Sequence, residues 1–209
     1  MNITEFNKIK DLTYLEYCDY LQKKYGIGKY NYMTKAFNKV PKVSRTSEGL
    51  IAHHKYEDHA IMLCKVEVAK KNPYDWQLAE NIIYCDYLEH LYLHVLICRY
   101  PSSNKSDNQI VGIGGVVNFI APELNDVYSG FKTKQAWREN CYQKIINDKD
   151  VYLIILKEFL NMYSYIAPTI IKYLCRSFNQ PYGQWVSGYN DKLYSEIKSL
   201  LNMDECLPV

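Results

Sequence analysis

The sequence predicts an α+β fold that is mostly α-helical, with a small β-hairpin-plus-helix unit embedded among helices. Three observations predict it. Apolar residues recur at spacings near three and four along most of the chain. Two short apolar runs, Gly49-Leu-Ile-Ala-His-His54 and Asn81-Ile-Ile-Tyr-Cys85, read instead as strands. The second of these leads directly into a helical pattern from Tyr87 to Arg99, closed by Pro101.

The elements follow in order. Residues 3–25 read as one helix, carried by Leu12, Leu15, Tyr17, Cys18, Leu21 and Tyr25 and ended by Gly26-Ile-Gly28. Residues 26–47 are polar and irregular, and Pro41 argues against a long helix there. Ala60 to Lys71 reads as helical, stopped by Asn72-Pro73. Residues 110–120 fit a Gly-interrupted buried helix or a strand equally well. Residues 134–147 and 151–178 read as helices, the second broken near Pro168. A Gly/Pro/Trp loop over 180–190 precedes a final amphipathic helix at 191–201. The expected organisation is a module at 1–100 and a helical C-terminal region at 101–209 packed on it as one unit.

Composition narrows the function classes. A chain of 209 residues with 48% apolar content can fill a core, so neither disorder nor disulfide stapling is expected. The net charge of +2 is too small for a polycation that coats nucleic acid. The seven cysteines are scattered and form no CxxC pair, which argues against a zinc ribbon and suits a reducing compartment. The N-terminus lacks a leader-like apolar stretch, and the uncharged run from Phe159 to Ile171 is too short to span a bilayer. The expectation is a cytoplasmic protein without a membrane partner.

The histidines carry the chemical signal. All 5 lie between His53 and His94, as the pair His53-His54, as His59, and as His90 and His94 four residues apart. Adjacent strand residues point to opposite faces, so His53 and His54 should do different work. Residues four apart on a helix share a face, so His90 and His94 are placed to chelate one ion.

The run GLIAHH…NIIYCDYLEHLYLH resembles the HNH, or ββα-metal (His-Me finger), endonuclease family. The step of nine from Asn81 to His90, followed by HxxxH, is similar to the three-histidine subtype of nuclease bacteriocins. The resemblance covers about residues 49–97 and implies a β-hairpin and helix gripping one divalent cation. It assigns His53, His90 and His94 to the metal, His54 as the general base, and Asn81 as the residue that ties the hairpin and orients His54. The implied cofactor is one Mg, Mn or Zn ion, and the implied substrate is DNA, with RNA open. Cleavage would leave a 5′ phosphate and a 3′ hydroxyl. Glu89 or Asp86 could support a ligand imidazole from behind.

One departure stands out. His54 and Asn81 are 27 residues apart, farther than in compact members, which requires a helical insertion between them. The gap also admits a register in which Asp58-His59 supplies ligand and base. His53-His54 is preferred because only that pair follows a strand-like run.

No acidic residue lies between Asp19 and Glu48, while Lys23, Lys24, Lys29, Lys35, Lys39, Lys42 and Arg45 do, interleaved with Tyr20, Tyr25, Tyr30, Tyr32 and Phe37. Lys29, Lys35, Lys39, Lys42 and Arg45 are therefore candidate nucleic-acid contacts; a solvated loop is the alternative. The Gly112-Ile-Gly-Gly115 run lacks nucleotide-loop spacing and reads as a tight turn or close helix contact. Trp76, Trp137 and Trp185 read as core or loop anchors. A homodimer would suit double-strand cutting. The competing readings are a catalytically inactive HNH-derived binding factor, such as a phage anti-defence protein, and a zinc site that only staples the fold.

Overall fold

A computed structural model describes residues 1–102, 111–163, 174, 176–178 and 191–200. It is an α+β fold dominated by helices, with one two-stranded antiparallel sheet. The helices are α1 (Ile3–Ile9), α2 (Tyr14–Tyr25), α3 (Val66–Ala69), α4 (Tyr87–Arg99), α5 (Ile113–Gly115), α6 (Ala121–Tyr128), α7 (Ala136–Gln143), α8 (Lys149–Met162) and α9 (Asp191–Leu200). The strands are β1 (Ile51–His54) and β2 (Ile82–Cys85).

The first helical segment is two helices rather than one. Thr13 forms a capping box with Glu16, its side chain accepting from the Glu16 amide while the Glu16 carboxylate takes the Thr13 amide. That reciprocal pair stabilises a new helix start and interrupts a periodic apolar pattern. Gly26, with φ of 76°, then ends α2 in a conformation that side-chain-bearing residues rarely adopt.

The segment expected to be helical from Ala60 to Lys71 is mostly turns, and only Val66–Ala69 is α-helix. Further on, Tyr74–Gln77 and Ala79–Asn81 form 3-10 turns, the first directly after Pro73. The undecided stretch near 110–120 is helical: α5 runs through a π-helical segment at Val116–Ile120 into α6. The loop expected at 180–190, with Trp185, lies outside the described residues, as do most positions of the helix expected beyond Met162.

The hairpin register pairs Ile51 with Cys85, Ala52 with Tyr84, His53 with Ile83 and His54 with Ile82. Side chains alternate across a pleated strand. Ile51, Ile83 and Cys85 accordingly join the main core, on the face that carries His53. Ala52, Tyr84 and Ile82 pack with Val43, Leu50, Tyr25 and Tyr32 on the opposite face, which carries His54.

Helix α4 follows β2 after one residue, Asp86, which is its N-cap and forms a capping box with Glu89. A helix apolar on all sides belongs inside a fold. Leu88, Leu91, Leu93, Val95, Leu96 and Ile97 are buried, and α4 packs against α2, α8 and the π-helical segment. One hydrophobic cluster runs from Phe6 through α4 to Ile197 in α9. No helix among the described residues is long and apolar enough to cross a membrane.

Lys24 of α2 ties this arrangement together. Its ammonium lies 2.6 Å from the buried Glu89 carboxylate and also pairs with Glu5 of α1. Burial and the neighbouring Asp86 charge push the Glu89 carboxyl up to about 7, and Lys24 opposes that shift. Replacing Lys24 with Met removes the opposition and should cost about 2–3 kcal/mol at pH 8. A folded-state pKa above the unfolded value favours folding at low pH and loses that contribution as pH rises through the folded pKa. Protonation of Glu89 at lower pH removes the charge that Lys24 compensates, so the difference should shrink at pH 5. Urea midpoints of Lys24→Met and the parent protein at pH 5 and pH 8 check this, and a pH-independent difference would contradict it.

Candidate metal centre

His53 leaves β1 toward α4, and His90 and His94 leave one face of α4 toward β1. The three rings form a near-equilateral triangle, with centroids 5.1 Å (His53–His90), 5.2 Å (His53–His94) and 4.9 Å (His90–His94) apart. Three imidazoles bonding one tetrahedral ion through nitrogens at about 2.0–2.1 Å would have centroids about 5 Å apart. The triangle has the dimensions of one coordination sphere.

A fourth donor comes from the turn after β1. The Glu57 amide donates to the His54 carbonyl at 3.0 Å, closing a turn that swings the Glu57 carboxylate back over His53. Its Oε2 is 3.1 Å from His53 Nδ1 and 3.6 Å from His94 Nε2. One donor atom from each of His53, Glu57, His90 and His94 lies within 4.8 Å of all the others. These four residues could hold a metal ion.

The hydrogen bonding is consistent with that capacity. His53 Nδ1, His90 Nδ1 and His94 Nδ1 are buried without a well-formed hydrogen bond, His53 Nδ1 meeting only the Glu57 carboxylate at 3.1 Å. An unpartnered buried polar atom costs about 1–3 kcal/mol. His53 Nδ1 faces the cluster, where an ion could satisfy it, whereas His94 Nδ1 lies against Gly115 and its Nε2 is the nitrogen turned toward Glu57. Behind His53, the Tyr14 hydroxyl lies 2.9 Å from Nε2 and 2.9 Å from the Lys55 carbonyl. A phenol has one hydrogen, and a carbonyl can only accept. Tyr14 therefore donates to Lys55 and accepts from His53 Nε2–H, which leaves His53 Nδ1 bare and directed at the cluster.

Electrostatics favour the metal-binding protonation states. Burial, with the other imidazoles adding to it, drives His90 well below its ordinary value, and burial is the main cause that brings His94 down to about 4. Burial alone would raise Glu57, but its contact with His53 and the positive charge that His53, His94 and His54 carry when protonated outweigh it and hold the carboxyl far below its usual range. Neutral imidazoles and an ionised carboxylate are the forms that bind cations. Three nitrogens and one oxygen suit Zn and other later transition ions better than Mg.

Gly115 completes the wall. A Cβ there would sit 2.3 Å from His94 Nδ1, so no other residue lets α5 approach the ring. The Gly112–Gly115 run thus makes a close helix contact, and that contact is with a member of the cluster.

His54 occupies the other face of β1 and is 2% exposed. Its Nε2 lies 3.2 Å from Gln77 Oε1, while the Gln77 amide nitrogen donates to the Leu63 carbonyl at 3.3 Å. The glutamine oxygen can only accept, so His54 carries its proton on Nε2 and keeps Nδ1 as the basic nitrogen. Burial lowers its pKa; Glu57 and Lys39 are near enough to act on it in opposite directions. The Tyr32 ring lies edge-on at 4.4 Å.

Asn81 does not reach His54. Its Nδ2 donates to the Asp75 carbonyl at 2.8 Å, and its carbonyl accepts from the Lys55 amide at 2.9 Å, so it closes the end of the hairpin. The side chain that meets His54 is Gln77. Glu89 and Asp86 are spent on the helix cap, Lys24 and Tyr25 rather than on a ligand imidazole. The Asp58-His59 register is not the one assembled around β1: His59 Nδ1 lies 2.6 Å from Asp58 and its ring packs against Trp76 and Tyr56, outside the four-residue group.

Among the candidate nucleic-acid contacts, Lys35 and Lys39 are exposed on the loop bridged at Met33 and Lys39. Lys29, Lys42 and Arg45 line a separate cleft. Trp137 is 42% exposed rather than a core anchor. Glu57 and Gln77 were missed in the sequence. An acidic residue three positions after a histidine pair is a usable signal for the first, whereas a glutamine in a 3-10 turn carries none.

No protein-family model, no curated protein and no solved structure matches this chain.

The geometry makes two measurable demands. Purified protein should bind one Zn ion per chain by elemental analysis, and His90→Ala or His94→Ala should abolish that stoichiometric binding. Tyr14→Phe removes the acceptor that fixes the His53 tautomer and should weaken Zn affinity about 10–100-fold in a chelator competition. Unchanged affinity would remove Tyr14 from the account.

Proposed function

We propose that this protein is a metal-dependent endonuclease of the HNH type, hydrolysing phosphodiester bonds in DNA, with RNA as the alternative polymer. The observation that carries the reading is that β1 delivers two histidines to two tasks. His53 faces three other potential ligands, and the adjacent His54 presents a neutral ring whose Nδ1 is the basic nitrogen. The hairpin–helix connectivity and the order His53, His54, Asn81, His90, His94 support the same reading.

In this mechanism His54 Nδ1 takes a proton from water as its oxygen forms a bond to phosphorus, and the bond to the 3′ oxygen breaks with that oxygen taking a proton from solvent water to leave as the hydroxyl. A divalent ion bound by His53, Glu57, His90 and His94 would supply charge stabilisation for the phosphorane-like transition state. Lys39, exposed and near enough to act electrostatically on His54, would neutralise the phosphate diester. Gln77 holds the His54 tautomer, and Asn81 keeps the hairpin end closed. Tyr32 covers His54 and must swing aside for substrate to enter.

A second reading is favoured by one observation: four protein donors with little exposure resemble a closed structural site, which staples the fold without reacting. Plasmid nicking with Mg, Mn and Zn, run on the parent protein and His54→Ala, separates the two. The nuclease reading expects metal-dependent nicking, reduced about 10²–10⁴-fold in His54→Ala with Zn stoichiometry intact. Absence of nicking with every metal, together with unfolding on chelation, would establish the structural site and sink the nuclease.

A further inference from the structure

The face of the hairpin that carries His54 continues into a cleft of about 370 Å³. Its floor is Tyr84, paired across the sheet with Ala52, two residues before His54 on β1. Two residues of strand advance about 7 Å, so cleft and base share one surface. Gly28 forms one wall, at a distance where a Cβ would meet Tyr84 Oη at 2.7 Å, and this lets the chain after α2 close against the ring.

The lining combines charge and aromatic surface. Arg45 is fixed: it grips Glu48 through Nε at 2.8 Å and Nη2 at 2.6 Å, donates to the Tyr25 carbonyl at 2.7 Å, and stacks its guanidinium 4.6 Å over Tyr84. Lys29 and Lys42 are exposed, with Lys42 lying 5.6 Å over the Tyr30 ring. Tyr30 is itself 43% exposed. Three cations against the single Glu48 carboxylate leave an excess of positive charge beside an accessible aromatic face. An organic anion with a planar ring satisfies both demands, and an aromatic platform flanked by lysines is how unpaired nucleotides are held.

We infer that this cleft binds one nucleotide of an unpaired nucleic-acid strand, its base against Tyr30 and its phosphate between Lys29 and Lys42. The inference rests on the nuclease reading and narrows it: the preferred substrate is single-stranded or locally open rather than intact duplex. A paired base in a duplex keeps its faces stacked on its neighbours and cannot lie on Tyr30.

The test measures binding without cleavage, so that it is separable from activity. On the Zn-loaded His54→Ala protein, fluorescence anisotropy would compare a labelled single-stranded 12-mer with a hairpin duplex of the same composition, with thymidine monophosphate as competitor. The single strand should bind at least about tenfold tighter, and Tyr30→Ala and Lys42→Glu should each weaken it about tenfold while the duplex is little affected. Both positions are exposed, and unchanged thermal melting of the variants verifies folding. Competition by the mononucleotide supports a pocket open to free nucleotides, and strand binding without competition supports a strand-borne nucleotide. Preference for duplex, or strand binding indifferent to both substitutions, would overturn the inference. Tyr30-dependent strand binding without nicking by any metal would refute the nuclease and leave the nucleotide site standing.

Discussion

The arrangement depends on the one-residue junction between β2 and α4. Asp86 follows the last strand residue and at once caps the helix, exchanging hydrogen bonds with Glu89. A longer connection would let α4 rotate or slide along the sheet. With a single residue, the rise of the strand and the turn of the helix together fix where His90 and His94 point relative to His53. The buried Glu89 carboxylate and its Lys24 partner then extend the cap into α2 and α1, so the helices behind the hairpin share the constraint.

That rigidity permits a cluster that would otherwise be unfavourable. Buried imidazole nitrogens without partners oppose folding, and only strong packing elsewhere holds them together in the absence of an ion. The apolar surface of α4, enclosed by α2, α8 and the π-helical segment, supplies that packing. The close approach of Gly115 removes remaining freedom from the His94 ring. Tyr14 does the same for His53 through a hydrogen bond that also selects its tautomer.

The hairpin divides labour by the parity of its residues. Odd positions of β1 face the core and the candidate metal ligands, while even positions face Tyr32, Tyr84 and the basic segment between α2 and β1. The His54 ring, positive charge and aromatic surface therefore collect on one side, and the candidate metal ligands on the other. The turn that returns Glu57 to His53 joins the two sides, because its carboxylate acts electrostatically on both His53 and His54.

What the sequence alone determined was local in origin. The two strands, the helix from Tyr87 to Arg99 and the shared face of His90 and His94 follow from periods of two and 3.6 residues, which neighbouring side chains dictate. The break at Thr13 was legible too, through the Thr-x-x-Glu signature, although apolar spacing masked it. Tertiary structure decided which distant groups meet: Glu57 rather than Asp58 beside His53, Gln77 rather than Asn81 against His54, and Gly115 against His94. Those contacts are set by turns between 55 and 81 and by helix packing. Their geometry sums many weak terms across the chain, and no local period in the residues encodes it.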